Sequence, residues 1–268
     1  MPRDIEVMRK ALIKRARKQV EQRYSESDVH VIRAVSLLSD LDSVFNLLAE
    51  SCIEWYGSHF PELGSMVRDN EAFLKIVKEL GERKAISAKK LEALLGESGK
   101  AKQVEEKAKG SMGSQIPENA LAEIRQLSSN ALLLREERLK LQSFVEKEMQ
   151  KLAPNFSEVA GPVLGARLLA GASGLKQLAM MPSSTVQLLG AEKALFRHLR
   201  DKKSKGPKYG FIYGHPLVKK ALGKHKGKIA RSLASKMVLA ARADYFGTRR
   251  GIGKKMLEEV EKRAKQLG

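Results

Sequence analysis

Apolar residues recur at alternating intervals of three and four positions between residues 31 and 55. The series is Val31, Ala34, Leu38, Leu41, Phe45, Leu48, Cys52 and Trp55. This spacing is typical of a coiled-coil helix, in which a single apolar seam faces a partner helix. The stretch is therefore predicted to form a long helix that needs a helical partner.

A second seam of the same period lies about ninety residues further along the chain. It consists of Ile124, Leu127, Ala131, Leu134, Arg138, Leu141 and Val145. Two such helices in one chain can fold back as an antiparallel pair, and the charged residues beside the seams favour a long protruding coiled coil over an ordinary helix bundle. Arg138 would be unfavourable in a dry seam, so it marks either a fraying end or a polar residue that sets the register.

The segment between the seams is predicted to be helical and interrupted. A turn-rich break surrounds Pro61, and a helix is predicted from Val67 to Leu80. Residues 82–116 are rich in Lys, Glu, Ala and Gly, which indicates a mobile helical insertion with a flexible tip at 109–114. Residues 96–100 resemble a phosphate-binding loop superficially, but the required glycine and hydroxyl residue are replaced by Leu94 and Ala101.

The first 23 residues form a predicted basic amphipathic helix. Ile5, Met8, Leu12 and Ala16 share one side of it. Such a helix can bind nucleic acid, but a solvated helix that packs on the scaffold is the preferred interpretation.

Charge is distributed very unevenly along the chain. The net charge is +19, from 50 Lys and Arg against 31 Asp and Glu. Residues 154–268 contain 24 basic and 7 acidic residues, a net charge of +17, which leaves +2 for residues 1–153. So dense a positive charge repels itself unless an anion compensates it, and the usual polyanion is the phosphate backbone of a nucleic acid.

Composition narrows the class of protein. The hydrophobic content of 43% supports a core, while only 5% of residues are aromatic, which together with the helix-forming residues predicts an all-α protein. The single cysteine excludes an internal disulfide and fits a reducing compartment. No apolar stretch approaches the roughly 20 residues of a membrane span.

The basic half contains a helix that is predicted to face phosphates. A new unit is expected to begin at Pro154, with Ser157 as a helix N-cap. Further on, Lys193, Arg197 and Arg200 share one helix face without interleaved acids, while Ala191, Leu195 and Leu199 form a predicted inward stripe. The small residues Gly190 and Ala191 would allow another backbone or a base to approach closely.

Aromatic residues follow within a lysine-rich segment. Tyr209, Phe211 and Tyr213 either stack on unpaired bases or form the core of a short extended segment, and Phe211 is expected in the core. The next helix, from about Lys228 to Tyr245, is predicted to bury Ile229, Leu233, Met237 and Ala240. Lys228, Arg231, Ser235 and Arg242 lie on a different face.

Four of these segments carry a resemblance to a known family. They are residues 188–197 (LLGAEKALFR), 207–213 (PKYGFIY), 226–231 (KGKIAR) and 239–244 (LAARAD), and together they resemble the Nop domain. Upstream, residues 55–63 (WYGSHFPEL) are similar to the segment between the family's coiled-coil helices. The resemblance covers nearly the whole chain. Among family members, the sequence is most similar to archaeal Nop proteins of the box C/D small RNA methylation particle.

The resemblance implies an all-α fold, with a long antiparallel coiled coil followed by a compact helical Nop domain. It implies an N-terminal helix at 1–26, a coiled-coil dimerisation domain at 27–153 and a Nop domain at 154–268. The implied function is that of a non-catalytic scaffold, without a cofactor or metal, which recognises a kink-turn RNA already bound by a ribosomal-type kink-turn protein. Box C/D guide RNA, that protein and a second copy of the chain are the expected partners, in the archaeal cytoplasm or a eukaryotic nucleolus.

The resemblance also implies site residues. Gly190, Ala191, Glu192 and Lys193 are expected to meet the joint RNA–protein surface, with Lys208, Lys226, Lys228 and Arg231 on phosphates. Gln187, Arg197, His198, His215 and Arg242 complete the candidate surface. The candidate dimer residues, which serve either the interface or the intrachain core, are Leu38, Leu41, Phe45, Leu48, Leu134 and Leu141.

Some features depart from the family pattern or leave alternatives open. Family members begin with an α/β domain that binds the methyltransferase fibrillarin. Because no such domain precedes Met1, the chain is expected to be a truncated form that does not dock fibrillarin by itself. The alternatives are a spliceosomal Prp31-like assembly factor, a generic polyanion-binding adaptor and, least favoured, an enzyme with His215 and Asp244 as an acid–base pair.

Overall fold

The computed structural model describes residues 2–25, 27–201, 203–247 and 251–267, and these form helices and connecting turns without a strand. The expectation of an all-α fold is confirmed. The chain divides into two compact units, one comprising Met1–Leu37 with Gln142–Gly268 and the other Leu38–Leu141. The predicted functional boundaries at residues 26, 153 and 154 remain predictions.

The α-helices are, in chain order, α1 (Pro2–Ser25), α2 (Ser27–Gly57), α3 (Pro61–Met66), α4 (Asn70–Glu79), α5 (Ala88–Leu95), α6 (Ser98–Lys109), α7 (Glu118–Leu152), α8 (Pro154–Ala160), α9 (Pro162–Gly171), α10 (Leu175–Met180), α11 (Ser183–Leu188), α12 (Glu192–Arg200), α13 (Pro216–Lys220), α14 (Lys226–Phe246) and α15 (Gly253–Leu267). Two 3-10 turns cover Arg83–Ala85 and Phe211–Gly214. No helix among the described residues is long and apolar enough to cross a membrane.

In the unit Leu38–Leu141, the two predicted seams belong to α2 and α7 and run antiparallel. Phe45 packs in one apolar cluster with Ala131 and Leu132. Asp42, one turn earlier on α2, pairs with Arg138, further along α7. The Arg138 guanidinium binds both carboxylate oxygens of Asp42, at 2.8 and 3.2 Å. Because α7 continues for 14 residues beyond Arg138, to Leu152, this arginine is a polar register residue and not a fraying end.

Burial separates the six candidate dimer residues into two groups. Leu38 and Phe45 are 0% and 7% exposed within a single chain, so they are intrachain core residues and cannot form a dimer interface. The other four, Leu41, Leu48, Leu134 and Leu141, keep part of their side chains exposed. The prediction that Trp55 ends the seam is wrong, because Trp55 is exposed. The adjacent Tyr56 is buried instead, and its hydroxyl donates a hydrogen bond to the Gly81 carbonyl.

The insertion between the seams is packed, which corrects the expectation of a mobile segment with a flexible tip. Residues of α5 and α6 contribute to the core of this unit, among them Leu91 and Val104. The tip is held by side chain and backbone together. The Glu62 carboxylate accepts hydrogen bonds from the Ser111 hydroxyl at 2.6 Å and the Met112 N–H at 3.1 Å, and His59 Nδ1 lies 2.9 Å from the Ser114 carbonyl.

In the other unit, α8, α10, α11 and α15 pack around α14, whose buried face contains the predicted Ile229, Leu233, Met237 and Ala240. The chain breaks before Pro154 as predicted, but Ser157 lies inside α8 and the N-cap is Ala153. The Ser157 hydroxyl instead donates to the Met149 carbonyl at 3.0 Å.

Two linked side chains connect helix ends in this unit. The Asp244 carboxylate near the end of α14 accepts the N–H groups of Asn155 and Phe156 at 3.1 and 2.8 Å, and the Asn155 amide at 2.7 Å. The side-chain oxygen of Asn155, Oδ1, in turn accepts the N–H groups of Ile252 and Gly253 at 2.9 and 3.1 Å. One carboxylate and one amide thereby satisfy free donors at the starts of both α8 and α15.

The N-terminal helix α1 makes no buried contact in the part whose side chains are described. Every side chain from residue 5 to residue 17 is exposed, including Ile5 and Leu12. The expected packing of this helix on the scaffold is therefore not observed for these residues.

Candidate nucleic-acid interface

The turn between α11 and α12 is shaped by Gly190. Its φ of +85° lies in the left-handed region, and a β-carbon at this position would lie 2.6 Å from the Phe211 ring. Glycine is therefore required for two reasons, backbone conformation and space. The space left by the missing side chain is occupied by the Phe211 ring of the same chain. From the sequence, an external backbone or base was expected there.

The following residues begin α12. Ala191 is its N-cap residue, and the Glu192 carboxylate accepts the Gly190 N–H at 2.7 Å. Glu192 therefore places a negative charge in the first turn, where the helix dipole favours it, and also orders the turn before the helix. Lys193 is exposed beside it.

Helix α12 buries none of its residues. Lys193 and Arg197 are exposed as predicted, but Leu199 is 63% exposed and does not belong to an inward stripe. Phe196 is 61% exposed one turn before it. The helix thus presents cations and large apolar side chains to solvent together.

The end of α12 is fastened to the loop that follows it. His198 Nδ1 lies 2.5 Å from the Ser204 carbonyl, and the His198 ring packs against Gly206, where a β-carbon would lie 3.1 Å away. His198 is half-buried. Its observed contacts serve to shape the loop, so a direct contact with a ligand is not needed to explain its orientation.

The segment from Lys208 to Phe211 runs alongside the end of α11. The N–H groups of Gly210 and Phe211 donate to the carbonyls of Gln187 and Leu189 at 3.0 and 2.7 Å. The Gln187 amide donates to the Lys208 carbonyl. Gln187 is 9% exposed, so it is a positioning residue for Lys208 and its assignment to the contact surface is corrected.

The aromatic residues in this segment divide differently from the expectation. Ile212 is fully buried, whereas Phe211 is 39% exposed and covers Gly190. Tyr209 and Tyr213 stack with ring centroids 5.1 Å apart and planes 15° from parallel. Lys226 Nζ lies 4.9 Å from the Tyr213 ring centroid, which is a cation–π contact.

His215 is buried and is not available to a ligand. Its ring accepts the Leu217 N–H at 3.3 Å and caps α13, and it is also hydrogen-bonded to the Val159 backbone. Burial lowers the pKa of His215 below its usual value, which favours the neutral ring. Since Asp244 is occupied by three donors at the start of α8, the two residues do not form the acid–base pair considered above.

The cations of α14 lie as expected on its exposed side. Lys228, Arg231 and Arg242 are exposed, and Arg242 Nε donates to the Ala179 carbonyl at 2.9 Å. Lys208 reaches this helix start, because a β-carbon on Gly227 would lie 3.8 Å from its side chain. The structure thus brings Lys208, Lys226 and Lys228 together at one end of α14.

Sequence reasoning missed Phe196 as a surface residue. Its position between Lys193 and Arg197 was a usable signal, because an apolar residue within a cationic helix face has no core neighbour on that face. The close approach of Phe211 to Gly190 carried no comparable signal, since 20 residues separate the two positions.

Comparison with known proteins places these features in a family. The family model Nop, described as "snoRNA binding domain, fibrillarin", matches residues 37–266. An uncharacterised NOP5 family protein of Methanocaldococcus jannaschii is 41% identical over 251 residues, covering 94% of this chain and 60% of that protein. Nucleolar protein 58 of Homo sapiens is 44% identical over 220 residues, covering 82% of this chain and 41% of that protein.

A solved structure supports the fold alone. A crystal structure of a fibrillarin/Nop5p complex matches with a TM-score of 0.54 and 22% identity, covering 98% of this chain and 78% of that chain. The chain spans 60% and 41% of the lengths of the two relatives named above.

Proposed function

This chain belongs to the Nop family, and from that membership we propose that it is a non-catalytic RNA-binding scaffold of a box C/D guide RNA 2′-O-methylation particle. Its ligand is a kink-turn RNA together with the ribosomal-type protein bound to it. Methyl transfer is assigned to fibrillarin, the protein named with Nop5p in the similar solved complex, and no catalytic step is assigned to this chain.

The observation that carries the proposal is the unburied state of α12. Lys193 and Arg197 suit phosphates, because cations bound to RNA release its counterions. Contact with phosphates would not bury the exposed apolar side chains of Phe196 and Leu199. Contact with a protein surface that excludes water would bury them. A ligand made jointly of RNA and protein uses both sets of side chains.

The cationic end of α14 supports the RNA part of this ligand. Lys208, Lys226 and Lys228 lie at the start of α14, and Lys226 also contacts Tyr213, which stacks on Tyr209. Removing a lysine that contacts a phosphate is expected to weaken binding about equally for all RNA sequences. It should also lower the salt dependence of binding by about one counterion.

A gel-shift titration tests the proposal. The probes are a kink-turn RNA alone and the same RNA with its kink-turn protein, each at low and at high salt. Tight binding only to the joint complex, retained at moderate salt, is expected. Equal and strongly salt-sensitive binding to any RNA would refute joint recognition and leave only generic polyanion binding. Phe196→Ala should weaken binding to the joint complex more than binding to RNA alone.

Self-association through the coiled coil is the second part of the proposal. Leu41, Val44 and Leu48 follow each other on α2 at heptad spacing, with Val44 43% exposed and the other two half-buried. On α7, the half-buried Leu134 and Leu141 are one heptad apart. An apolar stripe of this kind is the part of a coiled coil that a second copy can cover.

Light scattering tests the dimer. Val44→Glu is expected to reduce the measured mass to that of one chain, because it places a charge in the middle of the stripe. Val7→Glu is the matched control, since Val7 is 67% exposed on α1 and does not belong to either seam. A wild-type mass for Val44→Glu would refute the role of this stripe.

A further inference from the structure

One face of α14 remains exposed along nearly the entire helix. The exposed positions are Lys228, Arg231, Ser235, Leu239, Arg242 and Phe246, which follow each other at intervals of three or four and so share one side of the helix. At a rise of 1.5 Å per residue, this stripe is about 27 Å long. It begins at the cationic cluster described above and ends at the opposite end of the helix.

The far end of the stripe has a different chemistry from its beginning. Tyr245 and Phe246 are 38% and 55% exposed, and their rings meet edge to face with centroids 5.0 Å apart. Arg242 lies one turn earlier, exposed and held by its hydrogen bond to the Ala179 carbonyl. The end of α14 therefore combines a fixed guanidinium with an aromatic pair.

No carboxylate of α14 competes for an anion on this face. Asp244 is the only acidic residue in the helix, and its carboxylate is occupied at the start of α8. The cation on the neighbouring side, Lys236, pairs with Glu259 of α15. The stripe thus keeps a net positive charge between its two ends.

Exposed aromatic rings next to cations are typical of surfaces that bind unpaired nucleotides. Each base has a π-face that can stack on Tyr or Phe, and an arginine adds a cation–π or phosphate contact. Duplex RNA does not offer its base faces in this way. Of the parts of an RNA ligand, an unpaired segment matches this end of α14.

We propose that the exposed face of α14 guides a single-stranded segment of the RNA away from its folded element. The phosphates follow Lys228 and Arg231, and a base stacks on the pair Tyr245 and Phe246 beside Arg242. The proposal rests on the proposed function, because the folded element is the part bound at the opposite end of the helix.

The test compares two RNAs in the presence of the kink-turn protein. One ends at the folded kink-turn, and the other continues with a single-stranded extension of about eight nucleotides, prepared in a 5′ and a 3′ version, within the range that single-strand sites cover. The wild-type chain should bind the extended RNA more tightly. Phe246→Ala should lose between about five-fold and about a hundred-fold in affinity for the extended RNA and none for the short one, from the usual contribution of one stacked base.

Phe144→Ala is the matched control, because Phe144 is 42% exposed on α7, next to Glu146 and Glu148. It should bind both RNAs as the wild type does. Far-UV circular dichroism of both variants checks that the fold is retained. A photo-crosslink from a 4-thiouridine in the extension to residues 245–246 would support the proposal directly.

The outcomes separate this inference from the proposed function. If the wild-type chain binds the short RNA complex but gains nothing from either a 5′ or a 3′ extension, the inference alone is overturned. It is also overturned if Phe246→Ala keeps the full gain. If the wild-type chain fails to bind the short RNA complex, the proposed function and this inference are both overturned.

Discussion

Replacing Asp244 by alanine removes the acceptor that joins the end of α14 to the start of α8. Two backbone N–H groups, those of Asn155 and Phe156, then lose their partner, and the Asn155 amide loses its anchor. An N-cap acceptor contributes about 1 kcal/mol, and a donor left buried without a partner costs about 1–3 kcal/mol. We therefore expect Asp244→Ala to lower the free energy of unfolding by about 3 kcal/mol.

Asp244→Asn separates the acceptor from the shape of the side chain. The variant keeps one acceptor oxygen but turns a donor amide towards the donors of residue 155. Burial raises the pKa of the Asp244 carboxyl, because removing the carboxylate from water disfavours its charged form. Part of the free energy that the hydrogen-bond donors contribute therefore only offsets this desolvation. A loss of about half that of the alanine variant is expected.

Urea unfolding followed by circular dichroism measures both losses, and amide hydrogen exchange locates them. Because Asn155 also holds the N–H groups of Ile252 and Gly253, faster exchange is expected at the start of α15 as well as of α8. Asp201→Ala, which removes a carboxylate from an exposed loop, should change stability by less than about 0.5 kcal/mol. An alanine variant at position 244 within that same margin, with unchanged exchange, would refute the linkage.

Three further perturbations test other contacts. Because burial lowers the pKa of His215, the folded state binds fewer protons than the unfolded state. The free energy of unfolding should therefore fall as the pH drops through about 6.5. His215→Asn should reduce this pH dependence in thermal melts. Gly113→Ala should destabilise the protein by about 1–3 kcal/mol, because the new β-carbon would meet the His59 carbonyl oxygen; a wild-type urea midpoint would contradict the anchored tip. A double-mutant cycle on Asp42 and Arg138 should give a coupling of about 1 kcal/mol that shrinks with salt, and no coupling would refute the register role.

The seams were predictable from sequence because a helix repeats its faces with a fixed period. Val31, Ile124 and Val145 are fully buried where the heptad pattern placed them. The pattern fails where a helix ends, because the chain then turns and a different neighbour becomes available. Trp55 and Tyr56 exchange roles in the last turn of α2, where the carbonyl of Gly81, 25 residues away, accepts the Tyr56 hydroxyl.

The candidate site was predictable in charge and less so in geometry. The excess of basic over acidic residues around Lys193, Arg197 and Lys228 can be read directly from the sequence, and all three side chains are exposed. Gln187 and His215 have polar side chains that suit RNA equally well, and only the tertiary structure shows that each is buried to satisfy a backbone group. A pattern of residue types does not distinguish a ligand contact from such an internal hydrogen bond.

The flexible tip was predicted from composition, and composition is a poor guide where a short loop finds a partner. Ser111 and Met112 are small or flexible residues in a glycine-containing stretch, which is typical of a linker. Their donors nevertheless meet the carboxylate of Glu62, 49 and 50 residues earlier in the chain. The order of this loop comes from a contact that has no local signal.

The exposed apolar residues of α12 have a thermal consequence. Covering Phe196 and Leu199 in a complex removes nonpolar surface from water, and this gives association a negative heat-capacity change. The enthalpy of binding at this helix will therefore become more negative on warming, and the affinity will pass through an optimum temperature. A site made of cations alone would bury little nonpolar surface and show little of this curvature.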